Sequence, residues 1–133
     1  MVLIDSNVLI DVITQDPVWA EWSMTQLRAA KARDKLTINA VIYAEIVVAY
    51  ESAAELDSFL KPTGIVSSHL SNQAAFIASR AFMRYRATKG TKTGVLPDFF
   101  IGAQAQAEGW TLLSRDATRY RRYFPTVQLI CPG

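Results

Sequence analysis

The sequence predicts an α/β fold with a central parallel sheet of four to five strands and helices on both faces. Short apolar runs alternate along the chain with longer segments of helical periodicity. This alternation is typical of parallel sheets, because a crossover between parallel strands needs a connection of helical length. The length of 133 residues suits about one domain, so we expect residues 1–133 to form a single domain around one core.

The first half of the chain contains three strand signals separated by helix signals. Val2-Leu3-Ile4 is typical of a buried strand, and Ser6-Asn7 can cap a helix that continues to about Ile13. Asp16-Pro17 predicts a new helix, because proline favours the first helical position. The remaining elements predicted here are a strand at Leu36–Ile38, a helix capped by Asn39 and reaching Tyr50, a helix over Ala53–Leu60 and a strand at 65–66.

The second half continues the alternation with longer connections. A helix is predicted over 71–87, and a mobile loop over 88–97, which contains two Gly, three Thr and two Lys. An alanine-rich helix follows over 98–108 and is closed by Gly109. The last two strands are predicted at 111–114 and 127–130, with a basic, aromatic turn between them.

Cysteine and histidine are too scarce for several kinds of site. Cys131 and His69 are the only residues of their types, which excludes a disulfide framework and metal sites built from several thiolates or imidazoles. No apolar stretch approaches the roughly 20 residues of a membrane span. The N-terminus has no signal-peptide pattern, so we expect a cytoplasmic protein with no membrane partner.

The positive charge is concentrated in the second half of the chain. Residues 1–79 carry five Lys and Arg against nine Asp and Glu, whereas residues 80–133 carry nine against three. Arginine interleaved with tyrosine suits a polyanion with exposed bases, although such runs are also common on solvated helix faces. The candidate substrate-binding residues are Arg84, Arg86, Lys89, Lys92 and Arg115.

Three aspartates are expected at one edge of the predicted sheet. Asp5 closes the first strand and Asp116 lies just beyond the fourth. Asp98 opens the helix that leads into the fourth strand. Ligands of such sheets bind at the carboxyl ends of the strands, although each aspartate taken singly could also be a helix cap.

Glu45 is an acid on an otherwise apolar helical face. Its neighbours at helical spacing are Val41, Ile42, Val48 and Ala49, and no basic residue lies within nine positions. Burying an unpaired carboxylate costs several kcal/mol. A distant arginine, a raised pKa or a metal ion could offset that cost.

Several carboxylates at one site repel one another unless a divalent cation neutralises them. Oxygen ligation without His or Cys favours Mg²⁺, with Mn²⁺ as a substitute. An acidic metal site flanked by a basic, aromatic surface indicates phosphodiester hydrolysis on nucleic acid. These residue types alone do not separate a nuclease from a phosphatase.

Four segments together resemble a known family. They are Asp5-Ser-Asn-Val-Leu-Ile-Asp, Glu45 in its apolar helix, Pro97-Asp-Phe-Phe-Ile-Gly-Ala-Gln-Ala and Thr111-Leu-Leu-Ser-Arg-Asp-Ala-Thr-Arg-Tyr. In this order they resemble PIN domains, and most closely the toxin subunits (VapC) of VapBC toxin–antitoxin pairs. The resemblance implies that the catalytic, metal-ligating residues are Asp5, Glu45, Asp98 and Asp116.

The resemblance further implies a Mg²⁺-dependent endoribonuclease, a hydrolase that cleaves RNA phosphodiesters with metal-activated water. Asn7 and Ser114 would support the ligands by hydrogen bonding. The implied partners are an RNA substrate, a VapB-like antitoxin protein and a second copy of the chain in a homodimer. Two alternatives stay open, namely a Mg²⁺-dependent phosphohydrolase of small phosphoesters and a non-catalytic module that binds RNA or protein.

Overall fold

The computed structural model describes residues 1–88, 90–91 and 94–133, and a parallel sheet lies at its centre. The strands are β1 (Val2–Ile4), β2 (Leu36–Ile38), β3 (Val66–Ser67), β4 (Thr111–Leu113) and β5 (Leu129–Ile130). The described residues thus form one five-stranded sheet in the order β3-β2-β1-β4-β5, with every neighbouring pair parallel. This architecture confirms the predicted α/β class.

Helices connect successive strands, as parallel pairing requires. The described α-helices are α1 (Ser6–Ile13), α2 (Ala20–Arg33), α3 (Ala40–Ile46), α4 (Ala53–Leu60), α5 (Asn72–Ala87), α6 (Leu96–Glu108) and α7 (Thr118–Tyr123). Short 3₁₀ turns follow α3 and α4 at Val47–Ala49 and Lys61–Thr63. In the described part of the chain, none of the helices is long and apolar enough to cross a membrane.

Strand β1 occupies the middle of the sheet, which explains its uninterrupted apolar sequence. Val2 lies opposite Leu36 on one side and Thr111 on the other. Leu3 and Ile4 are fully buried, because helices cover the sheet on both faces. The residue that follows β1, Asp5, therefore lies next to the hydrophobic core.

The strand order changes direction at β1. The chain first proceeds outward through β2 and β3, and then returns to the other side of β1 for β4 and β5. Right-handed crossovers in the two directions place the connecting helices on opposite faces, and ligands of such folds bind at the carboxyl ends of the two strands where the direction changes. Those ends belong to β1 and β4, and the Asp5 N–H donates to the Leu113 carbonyl at 2.9 Å there.

Several element boundaries differ from the sequence prediction in the first half. Helix α2 begins at Ala20 and not at Pro17, because the Asp16 carboxylate accepts the N–H groups of Val18 and Trp19 at 2.9 Å and closes a separate turn. Asn39 caps α3 as predicted, but the α-helix ends at Ile46 and a 3₁₀ turn replaces its continuation. Strand β3 lies one residue later than the predicted 65–66.

The largest correction concerns the segment between β4 and β5. A turn is predicted there, whereas residues Thr118–Tyr123 form helix α7. Tyr120 and Phe124, four residues apart, are both buried, and this apolar pair anchors the short basic segment to the core. Helix α6 also begins earlier than predicted, at Leu96, with Pro97 in its first turn.

Candidate active site

Asp5 is the most buried acid at the carboxyl edge of the sheet. Its side chain follows β1 directly and is 3% exposed. Its Oδ2 accepts hydrogen bonds from the Ser114 hydroxyl at 2.8 Å and the Tyr120 hydroxyl at 2.9 Å. The amide of Asn7 approaches the same oxygen at 3.4 Å, and the Ser6 hydroxyl approaches Oδ1 at 3.4 Å. The protein therefore satisfies one carboxylate oxygen far more fully than the other.

Burial has the largest effect on the pKa of Asp5. It raises the pKa of this carboxyl from 3.8 to about 6, against the hydrogen bonds from Ser114 and Tyr120, which lower it. The negative charges of Asp98 and Glu45 raise the Asp5 pKa further. Because the Tyr120 hydroxyl is itself buried beside these acids, its pKa lies well above 10 and it stays a hydrogen-bond donor.

Ser114 and Asn7 join the ends of β1 and β4. The fully buried Ser114 hydroxyl accepts the Asn7 amide at 3.3 Å and the Asp116 N–H at 3.1 Å. The side-chain oxygen of Asn7, Oδ1, accepts the backbone N–H of Arg115 at 3.3 Å. These bonds tie the loop that carries Asp116 to the segment that follows β1.

Glu45 reaches the same region from helix α3. Its carboxylate is half-buried, and Oε1 accepts the Ser6 hydroxyl at 2.9 Å. Burial raises the Glu45 pKa, the bond from Ser6 lowers it, and the charge of Asp98 raises it. Helix α3 is held against α6 by a buried amide pair, in which Asn39 Nδ2 donates to Gln104 Oε1 at 2.6 Å.

Asp98 lies in the first turn of α6 and pairs with an arginine. Its Oδ2 accepts Arg119 Nη1 at 2.6 Å. Burial raises the Asp98 pKa, whereas the hydrogen bond and charge of Arg119 lower it, and the nearby charge of Asp116 raises it. The electrostatic coupling of Asp98 to Asp5, Glu45 and Asp116 shows that the four acids share one neighbourhood.

Asp116 is the exposed member of this group. It follows β4, and its Oδ1 accepts the Thr118 N–H at 3.3 Å at the start of α7. Its backbone packs closely against Ser114, whose Oγ lies 3.1 Å from the Asp116 nitrogen and 3.0 Å from the Asp116 carbonyl oxygen. The main chain at Asp116 is therefore well anchored, while its carboxylate faces solvent.

A cavity of about 360 Å³ opens at this edge of the sheet. Three of the four acids line it together with basic and aromatic side chains. The lining residues are Asp5, Asn7, Tyr85, Asp98, Asp116, Thr118, Arg119, Arg122 and Tyr123. Glu45 lies outside this lining, in an adjacent apolar hollow, and reaches Asp5 through Ser6.

The basic residues predicted to bind substrate do not line this cavity where the structure describes them. Arg115 instead pairs with the buried Asp11, its Nε lying 2.8 Å from Oδ2, so it compensates a buried charge. Arg84 and Arg86 lie exposed on α5, and Arg84 Nη2 is 3.5 Å from the Tyr123 carbonyl. The other two, Lys89 and Lys92, lie outside the described residues.

The sequence does not indicate the contacts that three further residues make at the site. Ser6 bridges two acids, Tyr120 donates to Asp5, and Arg119 pairs with Asp98. Tyr120 points to the core and its basic neighbours do not, a difference that becomes visible only when Thr118–Tyr123 is known to be a helix. The spacing of Tyr120 and Phe124 was the available signal.

The donor chemistry of the site fits a divalent cation. Carboxylate oxygens without imidazole or thiolate are the ligands that Mg²⁺ and Mn²⁺ prefer. Burial raises the pKa values of Asp5, Glu45 and Asp98, and a divalent cation at this edge of the sheet would favour their charged forms. Over residues 1–88, 90–91 and 94–133, no three acidic, His or Cys side chains are already arranged as a complete ligand set. Ligation of one ion by these acids therefore requires side-chain movement.

Solved structures with the same fold come from bacterial complexes. A chain of VapBC2 from Rickettsia felis, bound to a DNA fragment from its promoter, matches with a TM-score of 0.75 at 18% identity over 100% of both chains. A toxin–antitoxin complex from Klebsiella pneumoniae gives 0.73 at 20% identity, covering 100% of this chain and 98% of the other. DNA-bound VapBC from Salmonella typhimurium gives 0.72 at 14% identity, covering 98% and 96%.

The sequence comparison is consistent with this structural likeness. No curated protein matches the chain significantly. A model of the PIN domain, however, matches residues 2–124, the segment that contains all four acids. The chain belongs to the PIN domain family.

Proposed function

We propose that the chain is a Mg²⁺-dependent endoribonuclease that acts as the toxin of a toxin–antitoxin pair. The observation that carries this proposal is the convergence of Asp5, Asp98 and Asp116 on one cavity, with Glu45 coupled to them. Membership of the PIN domain family supports it, because PIN domain nucleases generally depend on a divalent metal ion.

In this proposal Asp5, Asp98 and Asp116 hold the ion and Glu45 completes or tunes its surroundings. A bound Mg²⁺ supplies positive charge that stabilises the phosphate during hydrolysis. Tyr120 and Ser114 fix Oδ2 of Asp5, which leaves Oδ1 as the less satisfied oxygen for ligation. These hydrogen bonds also reduce the reorganisation needed when the ion binds.

RNA is the proposed substrate because of the groups around the acids. Arg119 and Arg122 line the cavity and can attract phosphates. Tyr85 and Tyr123 line it as well, and aromatic side chains beside arginines are typical of sites that bind unpaired nucleotides. A cavity that combines acids, guanidinium groups and rings suits a phosphodiester flanked by bases.

A VapB-like antitoxin is the proposed protein partner. The support is the fold shared with chains of VapBC and toxin–antitoxin complexes. Co-expression with the protein encoded by a neighbouring short reading frame would test this partner. A stable complex that suppresses cleavage is the expected result, and an unaltered cleavage rate in the presence of bound partner would contradict the proposal.

A homodimer is proposed from an apolar hollow beside Glu45. It has a volume of about 370 Å³ and is formed by one side of α3 and the start of α6. A second copy on this surface would cover apolar area and bring two acidic sites near each other. The lining residues are Ala40, Val41, Ala44, Glu45, Leu96, Pro97 and Phe100.

The nuclease proposal can be tested with a pair of variants on one helix. Asp98→Asn removes the negative charge at the acidic cavity, whereas Glu108→Gln removes an exposed charge at the other end of α6. We expect Asp98→Asn to reduce Mg²⁺-dependent cleavage of single-stranded RNA by at least about 100-fold, consistent with loss of a few kcal/mol in the transition state. Glu108→Gln should cleave like the wild type.

Circular dichroism would establish that both variants are folded. Equal cleavage by wild type and folded Asp98→Asn would contradict the assignment of this cavity as the catalytic site. Faster turnover of a small phosphomonoester than of RNA would contradict the choice of substrate and favour the phosphohydrolase alternative.

A further inference from the structure

Arg119 is a cation inside the acidic cavity. Its side chain projects from α7, is 27% exposed and lines the cavity with Asp5, Asp98 and Asp116. Its Nη1 lies 2.6 Å from Asp98 Oδ2, and its guanidinium carbon lies 6.0 Å from the centre of the Tyr85 ring. The guanidinium is thus held at the cavity by an acid on one side and a ring on the other.

In this arrangement most N–H donors of Arg119 remain available to a ligand in the cavity. A guanidinium has five N–H donors in a planar fork, and the bond to Asp98 uses one of them. Among the described residues, Arg119 makes no second hydrogen bond. The planar fork matches two oxygens of a phosphate, which it can bind bidentately.

The Arg119–Asp98 pair adds little to the stability of the fold, so stability does not explain why the two residues are paired. Both side chains are partly exposed, 27% and 32%, and ion pairs of this kind contribute little to folding. The buried pair of Arg115 and Asp11 differs, because Asp11 is 1% exposed and its charge must be compensated. Arg119 therefore lies where solvent, and hence a ligand, can reach it.

The charge of the cavity gives Arg119 a function in the proposed reaction. Four neighbouring carboxylates repel an approaching phosphodiester, and one divalent ion supplies only two positive charges against them. A guanidinium fixed within the same cavity attracts the phosphate and places it beside the acids.

We propose that Arg119 binds a non-bridging oxygen of the nucleic-acid phosphate held at the acidic cavity, while Asp98 keeps its guanidinium in place. This inference rests on the proposed function and adds a substrate-contacting residue to it. Arg119 is then a catalytic residue that contacts substrate, distinct from the acids that bind the ion.

Binding measurements separate this inference from the nuclease proposal. The probe is a short fluorescent single-stranded RNA, titrated with protein in Ca²⁺ at several salt concentrations, with the probe checked on a gel for intactness. Arg119→Gln should weaken binding about tenfold and reduce the slope of log affinity against log salt by about one, because one phosphate contact is lost. Arg121→Gln is the matched control, since Arg121 lies on the same helix but bonds to Cys131 outside the cavity.

Mn²⁺ affinity provides a second readout, measured by calorimetry without RNA. We expect Arg119→Gln to bind Mn²⁺ at least as tightly as the wild type, because a cation that competes for Asp98 has been removed. Weaker Mn²⁺ binding with unchanged RNA binding would overturn the inference and make Arg119 a support for Asp98. Arg119→Lys guards against misfolding: it keeps the charge, and its RNA affinity should lie between those of wild type and Arg119→Gln.

Equal loss of RNA binding in Arg119→Gln and Arg121→Gln would also overturn the inference, because the effect would then belong to the general charge of α7. The nuclease proposal would fail through a different result: RNA would stay intact when it is incubated with the wild-type protein in Mg²⁺. RNA binding that depends on Arg119 and not on Arg121 would still support the phosphate contact in that case.

Discussion

At the scale of single residues, Asp5 lies at the proposed active site, and its burial lowers the stability of the fold when the carboxyl is ionised. The carboxyl is buried at the end of the central strand and has a pKa of about 6 instead of 3.8. It therefore binds its proton more tightly in the folded state than in the unfolded state. The stabilisation from that proton is present below about pH 4 and is lost as the pH rises through about 6.

Asp5→Asn should consequently stabilise the protein in the absence of divalent ions. We expect the free energy of unfolding at pH 8 to rise by about 2 kcal/mol, because no buried charge has to form. The difference between variant and wild type should shrink towards zero near pH 4. Urea unfolding at the two pH values measures both quantities.

Magnesium provides the control for this prediction. A ligand that binds only the folded state stabilises it, so Mg²⁺ should stabilise the wild type and leave Asp5→Asn nearly unchanged. A variant that is less stable than the wild type at pH 8 would show that ionised Asp5 does not destabilise the fold. Equal stabilisation of both proteins by Mg²⁺ would show that Asp5 does not hold the ion.

The sequence singles out the four acids, and the family resemblance adds Asn7 and Ser114 as their supports, but neither indicates Tyr120 or Arg119 as a partner of the acids. Asp5 and Glu45 are conspicuous because each interrupts or ends an apolar run. Ser114 and Tyr120 are 109 and 115 residues from Asp5 along the chain, and only the pairing of β1 with β4 brings them to it. Arg115 is a further example, since its partner Asp11 lies 104 residues earlier in the chain and only the fold brings the two together.

At the scale of elements, strands were predicted more accurately than the short helix beside the site. Val2–Ile4 and Leu36–Ile38 coincide with their predicted bounds, because strands buried on both faces are continuous apolar runs. Helix α7 has six residues and is mostly arginine and tyrosine, so local composition gives it no distinct signal. Its packing through Tyr120 against the core determines its conformation.

The packing of α6 against the segment after α7 can be tested at Gly102. A Cβ at this position would lie 2.4 Å from Cδ2 of the buried Phe124 ring. Alanine normally favours a helix by about 1 kcal/mol over glycine, but here the overlap should reverse the sign. We expect Gly102→Ala to lower the free energy of unfolding by about 1–3 kcal/mol, measured in urea.

Gly94→Ala is the control for this substitution, because a Cβ at Gly94 meets no atom within 4 Å. It should leave stability within about 0.5 kcal/mol of the wild type. A neutral or stabilising Gly102→Ala would contradict the close approach of Phe124 to α6.

At the scale of the whole molecule, the topology brings together acids that are far apart in sequence. Parallel strands with β1 and β4 adjacent place their carboxyl ends side by side, and α3 and α6 complete the group from the flanks. The alternation of strands and helices predicted this class of sheet, whereas the order of the strands had to come from the structure.

The proposed homodimer is tested by a substitution in the apolar hollow. Ala44 is exposed there, and Ala44→Arg would add a charge to the covered surface without disfavouring the helix. We expect the wild type to be a dimer and Ala44→Arg a monomer by light scattering after size-exclusion chromatography.

Val18→Arg adds the same charge at a 74% exposed position outside the hollow and should remain dimeric. A monomeric wild type would refute the homodimer directly. A dimeric Ala44→Arg would place the contact between copies elsewhere on the surface.

The most direct test of the central claim is digestion of a total RNA pool by the purified chain. It is performed in Mg²⁺, in EDTA and with Asp5→Asn, and the fragment ends are sequenced. We expect discrete fragments in Mg²⁺ and intact RNA under the other two conditions. Fragments that persist in EDTA or with Asp5→Asn, or intact RNA with a folded wild type that binds Mg²⁺, would contradict a metal-dependent ribonuclease centred on these carboxylates.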